Sequence, residues 1–93
     1  MKPRPVRFAP DALDFALIAV SFPGEPFTPD TVALIYDEAP LNGCALVLRD
    51  DARLEEGSRC TVKVGRMDPL DARVVWKKQI EKGLIHLGFQ YLE

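Results

Sequence analysis

The sequence predicts an all-β fold: one domain of six antiparallel strands, a barrel or a sandwich, with a closed or nearly closed β-barrel favoured. Three observations carry that expectation. Apolar residues recur at every second position through most of the chain, the period of a strand and not of a helix. Clusters of Pro, Gly, Asn and Asp cut this pattern into six segments. The length, 93 residues, suffices for one hydrophobic core and not for two. A closed barrel also relieves so short a chain of exposed sheet edges.

Residues 12–22 are the first segment. Their Ala and Leu content suits a helix as well, but the Val20-Ser21-Phe22 end and the Pro23-Gly24 that follows favour a strand. Residues 31–37 are apolar at nearly every position, as in a strand covered on both sides or one crossing a barrel core. Residues 43–49, rich in Leu and Val, form the third strand, entered through an Asn42-Gly43 turn that calls for positive φ at one or both positions. In residues 58–64, Cys60, Val62 and Val64 point inward, with Thr61 and Lys63 outward. Residues 70–77 set Leu70, Ala72, Val74 and Trp76 on one face, which makes Trp76 a core residue. In residues 83–92, Ile85, Leu87, Phe89 and Tyr91 share a face, and His86 lies on the opposite, surface side. Glu81-Lys82-Gly83 joins these last two strands as a hairpin.

Charge divides the chain. Residues 1–10 carry three basic side chains, Lys2, Arg4 and Arg7, and no acid, leaving nine bases against 14 acids for the remainder. A basic, proline-containing arm (residues 1–11) therefore precedes an acidic barrel (residues 12–93). With a net charge of −2, no global basic field draws the protein to nucleic acid or anionic lipid. No apolar h-region of a secretory signal follows Met1, and the longest apolar run, residues 15–20, falls far short of the roughly 20 residues that span a bilayer. The expected location is the cytoplasm, without membrane insertion. Cys44 and Cys60 sit in apolar surroundings and read as reduced, packed thiols. With a single histidine no nucleophile–base pair can be named, and neighbouring Asp37 and Glu38 point to opposite faces of a strand, so no catalysis is expected. No metal-ligand spacing or phosphate-cradling glycine loop is present, and no cofactor is expected.

From residue 30 onward the order and spacing of four pieces are distinctive: Gly43-Cys44-Ala45-Leu46, Leu54-Glu55-Glu56-Gly57, Ala72-Arg73-Val74-Val75-Trp76 and Leu87-Gly88-Phe89-Gln90-Tyr91. In this the chain resembles the PilZ domain family. The resemblance implies a six-stranded barrel and a link to the bacterial second messenger cyclic di-GMP, which many members bind. The family's ligand motif joins an R-x-x-x-R stretch in the N-terminal arm to a D/N-x-S-x-x-G turn between the second and third strands. Arginine forks match phosphates and stack on guanine faces, while the turn reads a guanine edge.

With Gly43 on the motif glycine, Glu38 takes the Asp/Asn position and Pro40 the Ser position. Proline offers neither hydroxyl nor amide hydrogen. With Arg7 on the second arginine, Pro3 takes the first, and Lys2 and Arg4 flank it. The missing fork and hydroxyl remove about 3–5 kcal/mol of charge-assisted bonding, enough to turn micromolar binding millimolar. The C-terminal helix frequent in that family is not expected after residue 92. The expectation is a single-domain PilZ-type signalling protein acting as a protein-interaction adaptor, with weak or absent nucleotide binding, as a monomer or weak homodimer. The alternative is a working cyclic di-GMP receptor in which Arg4 and Arg7 take the phosphates and one guanine face, while Glu38 and Asn42 reach a guanine edge beside Gly43. A third reading, a small barrel for single-stranded nucleic acid, lacks the basic groove such sites use.

Overall fold

The computed structural model describes residues 15–39 and 42–92, residues 38 and 39 by their backbone. The arm of residues 1–11, with Arg4 and Arg7, lies outside the described residues. The strands are β1 (Phe15–Ala19), β2 (Thr31–Ala39), β3 (Gly43–Arg49), β4 (Arg59–Val64), β5 (Leu70–Glu81) and β6 (Leu84–Tyr91). All pair antiparallel and close into a barrel in the circular order β1-β2-β3-β6-β5-β4. Among the described residues no helix is long and apolar enough to cross a membrane.

The alternating pattern fills the interior. Ile18, Leu46, Val62, Val64, Val74, Ile85 and Leu87 are fully buried, and Leu54 joins them from the loop between β3 and β4. Cys44 and Cys60 are both buried and free. Burial pushes the Cys60 thiol up to about 12, with the neighbouring Cys44 and Asp71 adding to the rise. A surface clamp ties two loops together across one end. The Asp30 carboxylate accepts the N–H groups of Val20 and Ser21, both at 3.1 Å. Arg53 then bridges Asp30 at 3.2 Å and Asp51 at 2.6 Å.

Three expectations change. β2 is not covered on both sides: the barrel has one interior, which takes Ala33 and Ile35, so Val32, Leu34 and Tyr36 face solvent at 59, 51 and 70 % exposure. Thr61 is buried, its hydroxyl donating to Asp71 at 3.0 Å while accepting the Gly24 N–H at 2.7 Å, which moors the loop between β1 and β2. Trp76 is not in the core. A bulge between Val74 and Trp76 inserts one residue opposite β6, and the phase of β5 reverses there, turning the indole outward.

β5 is also longer than its partner β4. Residues 70–73 pair with β4, and Val74 exchanges backbone bonds with Gly57 and Ser58 at 2.7 and 2.9 Å. From Val75 to Glu81 the strand pairs with β6 alone. The paired hairpin closes through Lys82 and Gly83, where Gly83 supplies the positive φ (78°) that the turn requires. Asp50, continuing from β3, donates its N–H to the Gly83 carbonyl at 2.9 Å.

Candidate functional site

The turn between β2 and β3 brings the sequence-predicted residues of the barrel to one place. The Glu38 backbone pairs with Cys44, and Asn42 ends the turn with its carbonyl accepting the Tyr91 N–H at 2.9 Å. Gly43 then sits between Ala39 of β2 and Gln90 of β6. Its φ is not in the left-handed region, contrary to the turn expected from Asn42-Gly43. The reason for glycine is space. A Cβ there would lie 1.9 Å from the Phe89 carbonyl oxygen, so the backbone of β6 comes nearer than any side chain permits. Arg4 and Arg7, assigned to the same site from sequence, lie outside the described residues, as does Pro40.

Beside this turn an open groove of about 490 Å³ runs over the outer wall of the barrel, lined by Asp37, Asn42, Gly43, Val75, Trp76 and Gln90 among others. Its aromatic wall has a specific origin. Trp76 pairs with Gly88 across the β5–β6 ladder, and the bare glycine leaves room for the indole to lie on the sheet. A Cβ at residue 88 would meet the indole Nε1 at 2.1 Å. Next to it stands His86, half-buried between two aromatic rings. Its ring centroid is 4.8 Å from Trp76 and 4.4 Å from Tyr36, both in edge-on geometry. Such contacts contribute about 0.5–1.5 kcal/mol each beyond area burial. The His86 Nε2 is buried without a hydrogen-bond partner among the described residues. Thus His86 is not the plain surface residue its strand position suggests.

The groove offers a planar aromatic face and two side-chain amides at Asn42 and Gln90, with Asp37 also in its lining. Such a surface can stack a flat ring and hydrogen-bond its edge. The described lining residues include no Lys or Arg. Arg73 stands opposite Gln90 in the ladder. A second cleft, of about 680 Å³, lies by Gly24, Pro26, Phe27, Asp68 and Asp71, where Asp71 is engaged with Thr61. Among the described residues no group of three or more His, Cys, Asp or Glu could hold a metal ion.

Sequence reasoning missed the cluster of Tyr36, His86 and Trp76. Two signals pointed to it: three large apolar residues in succession, Val74-Val75-Trp76, break strict alternation, and Gly88 in mid-strand marks a close approach. Comparison of the chain with protein-family models, with curated proteins and with solved structures gives no match.

Proposed function

We propose that the chain is a PilZ-type signalling protein of the bacterial cytoplasm, which acts in cyclic di-GMP pathways by binding another protein and holds the nucleotide weakly or not at all. The observation that carries the reading is the apolar outer surface of the barrel. Val32, Leu34 and Tyr36 of β2 are each more than half exposed, and Val75, Trp76 and Ile80 of β5 are 44, 38 and 48 % exposed. Val32, Leu34 and Tyr36 follow one another along β2, and Tyr36 is linked to Trp76 through the His86 ring between them; exposed apolar side chains grouped in this way mark surfaces that other proteins cover. The reading involves no catalysis and no cofactor. The described lining of the groove holds no Lys or Arg to meet a phosphate diester, and Pro40 removes a hydroxyl and an amide hydrogen from the turn.

A second reading, a cyclic di-GMP receptor served by Arg4 and Arg7, is favoured by one feature: the groove sets Trp76 beside Asn42 and Gly43, a flat face next to an edge-reading turn. Calorimetric titration with cyclic di-GMP, run beside an amide NMR titration, separates the two. The adaptor reading expects no saturable heat below millimolar ligand. Low-micromolar binding with shifts at Asn42, Gly43 and the Trp76 indole overturns it in favour of the receptor.

A further inference from the structure

Among the described residues β5 has a long stretch with a free side. β4 accompanies β5 only as far as Arg73, and the bonds of Val74 to Gly57 and Ser58 end the ladder. Beyond that point, from Val75 to Glu81, no backbone group of the described residues pairs with the side of β5 that faces away from β6. A strand edge of seven residues is about 20 Å long; a second register shift lies between Gln79 and Glu81, and from Trp76 to Gln79 the unpaired N–H and C=O groups run in regular alternation, a template for one more strand. The stretch is open: its residues other than Lys77 are exposed, with Val75 and Ile80 nearly half so.

Charge selects the occupant. From Arg73 to Lys82 the chain carries four basic side chains, Arg73, Lys77, Lys78 and Lys82, against the single acid Glu81. Lys77 is spent internally, its ammonium held at 3.3 Å by Asp50 and at 3.0 Å by Glu55. Arg73, Lys78 and Lys82 form no ion pair with any described residue. A second copy of the chain is a poor fit. Two free edges paired about a two-fold axis at Lys78 set the two Lys78 ammonium groups opposite each other, and like charges directly opposite are destabilising. An extended segment bearing carboxylates meets no such opposition.

We propose that the free edge of β5 from Val75 to Glu81 docks an extended acidic segment of a partner protein, which adds to the barrel as a strand. The main-chain groups supply the register. Val75 and Ile80 take the segment's apolar side chains, and Lys78 and Lys82 face its carboxylates. This rests on the adaptor reading above and names where and what such an adaptor binds.

The test uses the full chain and a probe peptide of alternating Glu and Val, seven residues long with blocked ends, against its Lys/Val counterpart. Amide NMR and hydrogen exchange are followed during titration. The expected result is shifts and slowed exchange at Lys77–Glu81 with the Glu peptide, and at least ten-fold weaker binding of the Lys peptide. In the double variant Lys78→Glu/Lys82→Glu that preference reverses, while the far-UV circular dichroism stays that of the parent. Shifts confined to Asn42, Gly43 and Gln90 overturn the edge assignment and leave the adaptor reading standing, since they move docking to the groove. No response to either peptide at millimolar concentration overturns the proposal, as does slowed exchange at Lys77–Glu81 that grows with protein concentration alone, which assigns the edge to a second copy. Failure of the adaptor reading is read separately, from low-micromolar cyclic di-GMP binding.

Discussion

Replacing Gly43 with alanine tests why a glycine opens β3. The added Cβ begins 1.9 Å from the Phe89 carbonyl oxygen and 3.2 Å from the Gln90 Cα, all of it backbone, whereas ordinary contact starts at 3.4 Å. No side-chain rotation relieves that overlap. β6 must withdraw, and the Gly43–Gln90 pairing and the Tyr91 N–H bond to Asn42 withdraw with it. Two or three backbone bonds at about 1 kcal/mol each, with about 1–3 kcal/mol for overpacking, give a loss of about 3–6 kcal/mol. A domain of this size holds on the order of 5–14 kcal/mol in all, so the melting temperature falls by at least about 12 °C. Urea denaturation and thermal melting by circular dichroism measure both quantities.

Two companion variants isolate the cause. Asparagine tolerates positive φ, so Gly83→Asn, at a site with open space and φ of 78°, costs only a few tenths of a kcal/mol and is milder than Gly83→Ala. At residue 43 the order is the reverse: asparagine is at least as harmful as alanine, because the obstacle is any Cβ. If Gly43→Asn retains parental stability while Gly43→Ala does not, the close-approach argument is wrong and the position is governed by backbone conformation.

Other outcomes follow from the same structure. Gly88→Ala drives a Cβ against the indole at 2.1 Å, but the indole is a side chain and swings aside. The expected cost is only about 1–2 kcal/mol, with red-shifted Trp76 emission and a weakened near-ultraviolet dichroism signal; unchanged emission refutes the packing described. For Asp30, burial raises the carboxyl, yet the N–H groups of Val20 and Ser21 and the hydroxyls of Thr31 and Ser21 together outweigh it and hold the pKa well below the ordinary 3.8. A depressed folded pKa contributes stability that is present above 3.8 and lost as pH falls toward the folded value. The stability gap between parent and Asp30→Asn therefore narrows steadily below pH 3.8, and a gap that widens on acidification contradicts this. The Cys60 thiol, buried and pushed up to about 12, stays unmodified by a thiol-disulfide reagent at pH 8 until the protein is unfolded in urea; rapid labelling of the native state contradicts the packing.

The barrel was legible because its information is local and periodic. Ile85, Leu87, Phe89 and Tyr91 fall on the inner face as alternation requires, and Gly83 marks the hairpin turn. Of the candidate site residues named from sequence, Asn42 and Gly43 line a groove. What escaped was every feature that depends on a break in alternation or on a distant neighbour. The Trp76 phase depends on one inserted residue at Val75. The role of Gly43 depends on Phe89, 46 positions later in the sequence. Burial of Thr61 depends on Gly24 and Asp71 arriving on either side of it, which no periodicity encodes. Exposure of Val32, Leu34 and Tyr36 depends on the absence of a second layer, and an apolar strand reads the same with or without one.

The circular order of the strands also governs how the protein is made. β6 is the last strand in the sequence, yet it lies between β3 and β5 and supplies both with a neighbour. A chain that has only β1 to β5 in place can form β1–β2–β3 and join β1 to β4, while β3 keeps an open side of seven residues, Gly43–Arg49. That side is rich in Leu and Val, the composition most prone to pair with another chain. The window closes when residues 84–91 zip between their two neighbours. A chain cut before residue 84 therefore keeps that side open and aggregates more readily than the full chain.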